Sequence, residues 1–453
     1  MKVTAVLLAA GQGTRMKSDL PKVLHPLCGK PMLWHVLEAL KSVTTEKPVV
    51  IVGYGAEQVK KFVGESAECV LQEPQLGTGH AAMQAETLLK GKTDYVIITY
   101  ADMPLLRDET FQRLFETQRL NAGPFSLLTV IADDPRGFGR IVRKTDGTVE
   151  AIVEEYVATA EQRGIKELNV GAYCFKAEWL WDALHRIEKN PKKGEYYLTD
   201  VVELAVKENL PVQAVVHDDF METIGINTRV HLSEAEAALR MRINREHMLN
   251  GVSMTDPTTA YIEVGVKIGK DTMIMPNTYI HGNTMIGERN VIGPNTIIRD
   301  TTIGNDCKIL ASVMEGAILE DDVDMGPFAR LRKGAHLKSH VHMGNFGEVK
   351  DSILHEGVKM GHFSYVGNAN IGARTNIGAG TITANYDGEK KNPTEIGEDA
   401  FIGSDTMLVA PLKLGDGART GAGAVVTKNV PEDTLVVGMP ARAIRKVERK
   451  KKR

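Results

Sequence analysis

Leu8-Ala9-Ala10-Gly11-Gln12-Gly13-Thr14-Arg15-Met16, with Pro21-Lys22 close behind, sets small residues just ahead of two cations. Small side chains let the backbone approach phosphates closely, with N–H groups as donors. The run lacks the third glycine of GxGxxG, so a dinucleotide-binding dehydrogenase is a poor reading. A second constellation lies between residues 326 and 404, where Arg332, Glu348, Lys350, His362, Tyr365 and Asn385 interrupt an otherwise apolar pattern. Arg332 and Lys350 suit a phosphate, and Lys391 adds a third cation. His362 has the chemistry of a general base, because an imidazole titrates near working pH. His25, His80, His336, His340 and His342 read as structural or surface groups.

These residues need elements to hold them. In the first 225 residues, Val3–Ala10, Val49–Val52, Tyr95–Thr99 and Ser126–Val130 read as strands. Pro31–Ser42, Gly79–Leu89 and Asp108–Gln118 read as helices between them. This alternation predicts a largely parallel, Rossmann-like sheet with helices on both faces and ligands at the carboxyl ends of its strands. Residues 228–250, without Gly or Pro and rich in Ala, Glu, Arg and Leu, predict one long linker helix that Gly251 stops. Beyond it, Ile286-Gly287, Ile292-Gly293, Ile303-Gly304, Ile371-Gly372, Ile377-Gly378, Ile396-Gly397 and Ile402-Gly403 keep a six-residue phase. That period predicts a parallel β-helix of three-sided coils around an aliphatic core. The expected domains are therefore 1–227, the helix 228–250, and 251–453.

Length and composition bound the rest. At 453 residues the chain is long enough for two or three cores, and a net charge of -3 gives no nucleic-acid footprint. Four scattered cysteines without a CxxC pair read as reduced thiols of a cytoplasmic protein. No stretch approaches a membrane span, and the N-terminal apolar run reads as a buried strand rather than a leader. The basic ending Arg445–Arg453 reads as a solvated tail.

The string LAAGxGTRM…LPK resembles the signature of sugar-1-phosphate nucleotidylyltransferases. Gln72-Glu73-Pro74-Gln75-Leu76-Gly77-Thr78-Gly79-His80 resembles the uracil-reading loop of uridylyltransferases. Tyr100-Ala101-Asp102, Gly139, Glu154, Asn169 and Asn227 fall in the same family's order. Over nearly its whole length the chain is similar to the bifunctional N-acetylglucosamine-1-phosphate uridylyltransferase / glucosamine-1-phosphate N-acetyltransferase (GlmU) family. The resemblance implies nucleotide contacts from Leu8, Ala9, Ala10, Gly11, Gln72, Gly77 and Thr78. It implies sugar contacts from Tyr100, Gly139, Glu154, Asn169 and Asn227, and charge stabilisation by Arg15 and Lys22. Mg²⁺ would be held by Asp102 and Asn227, hard oxygen donors that suit it.

In the acetyl-transfer half the resemblance implies His362 as base, with Glu348 holding the amine or the imidazole. Asn385 and the Ala379 N–H would face the oxyanion. Arg332, Lys350, Tyr365, Asn376 and Lys391 would bind the amino-sugar phosphate. Ala379, Asn385, Tyr386, Ser404, Ala422 and Arg442 would line the acetyl-CoA channel. The family further implies a homotrimer, UTP and acetyl-CoA as co-substrates, and no nucleic-acid or membrane partner. Four places depart from its pattern. Ala101 stands for Gly, Tyr156-Val157 for the Lys-Asp of ExKDA, Val170 for the Thr of NTG, and Met439 for an Arg that Arg442 would replace. The first three predict broadened sugar acceptance. A nucleotidylyltransferase whose β-helix mainly assembles a trimer stays open as the alternative.

Overall fold

The computed structural model describes residues 1–191 and 193–447. Glu448–Arg453 of the basic tail, and with them most of the solvated-tail expectation, lie outside the described residues.

Val3–Ala9 is apolar on both sides of its pleat: Val3, Ala5, Leu7 and Ala9 join one buried cluster and Val6 another. A strand buried on both faces belongs inside a helix-covered sheet. It lies between Val49–Val52 and Tyr95–Tyr100, parallel to both. The sheet order is Gln213–His217, Phe125–Ile131, Glu167–Lys176, Tyr95–Tyr100, Val3–Ala9, Val49–Val52, Glu68–Leu71. Glu167–Lys176 runs antiparallel to both strands that flank it, the exception within the largely parallel sheet that was expected. A hairpin, Arg140–Arg143 and Val149–Val153, joins that strand through the Leu168–Arg140 pair.

Met32–Leu40 and Asp108–Leu120 are the expected helices. The third expected helix is two pieces, Thr78–Met83 and Glu86–Leu89. Gln84 and Ala85 donate to carbonyls three residues back, and this tighter turn separates the pieces.

Arg229–Leu249 is one helix of 21 residues, and Gly251 follows it at φ +93°. A positive φ there suits glycine alone among common residues. The compact units are Met1–Leu239 and Arg240–Arg453, so the division falls inside this helix. Ala235 and Leu239 are buried in the first unit. In the second, the buried Asn244 amide donates to the Pro257 and Ala260 carbonyls at 2.8 and 2.9 Å.

From Ser253 onward, short strands form sheets of 12, 10 and 9 strands, each coil giving one strand to each sheet in turn. The register stacks like on like: Ile286, Ile303, Leu319, Leu337, Leu354, Ile371, Ile396 and Leu414 form one interior column. All are buried, and each such side chain contributes about 2 kcal/mol of burial. The corners turn through left-handed residues. Asp and Asn fill many of them, as their side chains tolerate that conformation. Phe328 and Phe346 hold φ of 60° and 57°, a conformation bulky residues seldom adopt.

Two features break the repeat. Lys359 pairs with Asn376, but Asn376 pairs with Phe401, so this coil carries extra chain. The excess forms the loop 385–392, closed by the Tyr386–Lys391 bridge. Asp387 pins it, accepting from the Glu389 and Lys390 N–H groups at 2.9 and 2.8 Å and from Asn392 Nδ2 at 2.8 Å. These donors hold its carboxyl down at about 2. Arg442–Lys446, wholly exposed, folds back antiparallel to Thr434–Val437.

Candidate active sites

In the first unit the turn after Val3–Ala9 opens a cavity of about 400 Å³. Leu8, Ala9, Ala10, Gly11, Lys22, Gln72, Gly77, Thr78, Tyr100 and Asp102 line it, joined by Gln12, Val23, Gln75, Ala81 and Glu195. All seven expected nucleotide contacts are therefore in one wall. Gly77 has φ +97°, and a Cβ there would stand 2.5 Å from the Tyr196 carbonyl oxygen, so only glycine fits. Gln72 donates through Nε2 to the Gly77 carbonyl at 2.9 Å, and Gln75 to the Ala10 carbonyl at 2.8 Å. Gln75 and Glu195 were missed as site residues. Gln75 stood within the quoted loop; Glu195 comes from a distant segment with no motif to announce it.

Asp102 follows the strand Tyr95–Tyr100, and its carbonyl accepts the Ile226 N–H at 2.9 Å, which draws Asn227 to the same point. Lys22 Nζ bonds Asp102 Oδ2 and donates to Asn227 Oδ1 at 2.7 Å; Arg15 donates to the same Asn227 oxygen at 2.9 Å. Two oxygen donors thus converge on one cationic group.

The other expected sugar contacts gather around Tyr100. Gly171 has φ +85° and lies against the Tyr100 ring. The Asn169 side chain is bonded to the Tyr173 hydroxyl at 2.8 Å, and its backbone N–H to the Gly139 carbonyl at 2.9 Å. Glu154 accepts from the Thr199 hydroxyl at 3.2 Å. Burial pushes the Glu154 carboxyl up, and the Tyr100 phenol is pushed up by burial and by the Glu154 and Asp102 charges. Asp200, next to Thr199, is pushed up to about 6, mainly by burial, then by Glu203 and Glu154.

The departures separate. Ala101 and Val170 are 0% and 2% exposed, packed in the core, and neither is among the residues that line the glycine-turn cavity. Tyr156 and Val157, 41% and 47% exposed, are open to solvent.

In the second unit, stacked strands bring Arg330, Glu348, Tyr365 and Ile382 into one row, with Lys350 beside Gly367. Arg332 donates to Glu348 Oε1 at 2.9 Å. The Lys350 ammonium holds Lys391 below the ordinary lysine range, a mark of crowded positive charge. A Cβ on Gly367 would meet the Tyr365 hydroxyl and the Asn385 amide at 2.4 and 2.8 Å, so these two groups converge there. Asn385 Nδ2 donates to Asn368 Oδ1 at 2.7 Å.

His362, Ala379, Ser404 and Ala422 occupy the same corner of successive coils. The Gly380 N–H donates to Phe363 O at 2.7 Å, Asp405 N–H to Ala379 O at 2.6 Å, and Gly423 N–H to Ser404 O at 2.8 Å. His362 is exposed, and its ring makes no hydrogen bond with any described residue. Asn376 lies on the strand ahead of the Ala379 turn. Arg442 pairs with Val437, one coil beyond Ala422; Met439 between them is exposed. Tyr386 projects from the inserted loop, 61% exposed, its hydroxyl donating to Gly388 O at 2.6 Å.

A glycine-turn α/β pocket and a polar row on a three-sided β-helix define a class, a nucleotidyltransferase joined in one chain to a hexapeptide-repeat transferase. Residues 5–166 match the MobA-like NTP transferase domain, and residues 265–300 and 393–428 match the bacterial transferase hexapeptide (six repeats), the left-handed β-helix repeat. The chain is 46% identical to the bifunctional protein GlmU of Geobacillus sp. (strain WCH70), over 96% of this chain and 95% of the relative. It is 47% identical to that of Geobacillus thermodenitrificans (strain NG80-2), over 97% and 95%. It is 42% identical to that of Streptococcus agalactiae serotype V (strain ATCC BAA-611 / 2603 V/R), over 96% and 95%. The chain belongs to the GlmU family, and so is a bifunctional transferase, uridylyltransferase and N-acetyltransferase, of UDP-N-acetylglucosamine synthesis.

Proposed function

We propose that the β-helix acetylates glucosamine 1-phosphate and that the α/β unit then couples the product to UTP, releasing pyrophosphate. The observation that carries the reading is the convergence of Lys22, Asp102 and Asn227 at the rim of the glycine-turn cavity. A sugar-phosphate oxygen attacks the α-phosphorus, so the protein's task is to align two anions and offset their repulsion. Gln72 with the Gly77 and Thr78 backbone reads the uracil edge. Arg15 and Lys22 stabilise the triphosphate, while Tyr100, Gly139, Glu154, Asn169 and Asn227 hold the sugar.

Asp102 and Asn227 fit Mg²⁺, since both are hard oxygen donors and already converge on a cation. Among the described residues no group of three or more His, Cys, Asp or Glu offers a metal site. Water and substrate phosphate oxygens would supply the rest of the coordination, as is usual for this cation. When bound there, Mg²⁺ supplies charge neutralisation across the phosphates.

In the β-helix His362 takes the proton of the attacking amine, and Glu348 orients it. Asn385 and the Ala379 N–H stabilise the oxyanion. Arg332, Lys350, Tyr365, Asn376 and Lys391 hold the sugar phosphate, and Tyr386, Ser404, Ala422 and Arg442 the CoA. A purely structural solenoid has no use for such a row in register, which argues against a β-helix that only assembles.

The assembly is a homotrimer built on the His362 corner. Phe328, Phe346 and Phe363 stand there 61%, 60% and 56% exposed, the first two stacked at 5.5 Å. Exposed aromatic rows of this kind are covered in assemblies. A cytoplasmic place fits four free thiols, Cys28, Cys69, Cys174 and Cys307, which stay reduced there.

The test gives purified chain glucosamine 1-phosphate, acetyl-CoA, UTP and Mg²⁺, omitting each in turn. UDP-N-acetylglucosamine should form only from the full set. Asp102→Asn should lower uridylyl transfer by about 10²-fold or more and leave acetylation intact. Parallel loss of both rates in folded Asp102→Asn protein would overturn the two-site reading.

A further inference from the structure

Lys193 to Tyr197 runs beside the first unit's pocket as a strap, with Asn190 bonded to its outer end. Its outer end closes on itself: the Gly194 N–H donates to Asn190 O and the Asn190 N–H to Glu195 O, both at 2.8 Å. Its inner end is seated on the uracil-loop segment. The Tyr196 N–H donates to Leu76 O at 2.7 Å, and the Gly79 N–H donates back to Tyr196 O at 2.8 Å. Between these ends Glu195 faces the nucleotide cavity, and just beyond them Thr199 donates to Glu154.

The outer end is also attached through side chains. Lys193 Nζ stands 4.1 Å from the centroid of the Tyr156 ring, and the Tyr156 and Tyr197 rings lie 6.3 Å apart. Asn190 ties the two partners together: its Oδ1 accepts the Lys193 N–H at 3.2 Å, and its Nδ2 donates to the Tyr156 hydroxyl at 3.4 Å. Tyr156 is two residues from Glu154, at the sugar end. We propose that Tyr156 and Lys193 are positioning residues for uridylyl transfer: they latch the strap so that Glu195 at the nucleotide end and Glu154 at the sugar end are held together. The Lys193 charge also reaches Glu154, acting against the upward push of burial on that carboxyl.

The inference rests on the pocket being the uridylyl-transfer site. It adds that a change at the sugar rim is felt by the nucleotide as well, because one strap serves both. A cation over an exposed aromatic ring is worth about a 2- to 5-fold change in an equilibrium.

The experiment compares the full-length chain with Lys193→Gln, Tyr156→Leu, the double variant and Tyr156→Phe, reading kcat and both KM values of uridylyl transfer. Fluorescence of Trp34, Trp179 and Trp181, which lie in the same unit as the two variants, serves as the check on folding. Lys193→Gln and Tyr156→Leu should each raise KM for UTP and for N-acetylglucosamine 1-phosphate about 2- to 5-fold, with kcat nearly unchanged. The double variant should be no worse than either single one, since both remove one contact. Tyr156→Phe keeps the ring and should keep both KM values near wild type. Unchanged KM values in both single variants, a rise for one substrate alone, or losses that multiply in the double variant would overturn the latch while leaving the uridylyl-transfer site in place. A wild-type chain inert toward UTP and the sugar phosphate would sink both readings.

Discussion

Replacing Gly171 with alanine (Gly171→Ala) would put a methyl carbon 2.2 Å from Tyr100 Cε2 and 2.5 Å from Cδ2. Carbon atoms settle at about 3.5–4.0 Å, so the ring or the backbone must give by about 1.5 Å. Overpacking of this kind costs about 1–3 kcal/mol. The backbone adds to it, because φ +85° is a left-handed conformation that costs an L-residue about 1–2 kcal/mol. Together the substitution should destabilise the first unit by about 2–5 kcal/mol. The assay follows from composition: Trp34, Trp179 and Trp181, all the tryptophans of the chain, lie within Met1–Leu239. Urea unfolding followed by tryptophan fluorescence therefore reports that unit alone. Tyr100 lines the nucleotide cavity, so its displacement should also lower uridylyl transfer about 10²-fold, the scale of a 1 Å misplacement. Acetyl transfer should be unaffected. A loss below about 1 kcal/mol with unchanged uridylyl kinetics would refute the claim that Gly171 fixes the position of Tyr100.

Three further outcomes are expected. His362→Gln should lower acetyl transfer by about 10²–10⁴-fold and leave uridylyl transfer alone, read by separate product assays. Asp200, raised to about 6 from an ordinary 3.8 chiefly by burial, favours its neutral form in the folded state. Its contribution is then present at pH 4 and lost as pH rises through 6. Asp200→Asn should flatten that fall and stabilise the first unit at pH 8 by about 1 kcal/mol, discounted for the carboxyl's partial exposure; tryptophan-monitored urea midpoints from pH 4 to 8 decide it. In the proposed trimer, mixing His362→Ala with Arg442→Ala subunits should regain part of the acetylation rate; mixed trimers that recover nothing would mean that each site lies within one chain.

Much of this was legible in the residues, for physical reasons that differ between the halves. The β-helix repeats one local rule, an inward aliphatic side chain every six residues, so a column such as Ile286-Ile303-Leu319 is written directly in the spacing. The inserted loop at 385–392 breaks the rule and was legible only as polar sequence. In the first unit the turn at Gly11 and the acid at Asp102 follow strands whose apolar runs are unmistakable. The antiparallel strand Glu167–Lys176 was not legible. A strand buried on both faces reads the same in either direction, and only the pairing with Tyr95–Tyr100 reveals its sense. Ala101 and Val170 were expected to broaden sugar acceptance because they depart from the family's pattern. Successive strand residues point to opposite faces, so Val170 faces the core beside Asn169, and Ala101, in the turn after its strand, is buried in the same cluster.

The backward turn of Arg442–Lys446 bears on solubility. A stack of parallel coils ends in a row of unpaired backbone groups that invites another stack to join, end on end, into a fibre. Here, on one of the three faces, the last parallel strand, Thr434–Val437, is covered by one of opposite sense. That strand is also exposed along its length and carries Arg442, Arg445 and Lys446, so two such ends repel. Truncation after Val437 would uncover the strand beneath, and the shortened chain would be prone to lengthwise polymerisation.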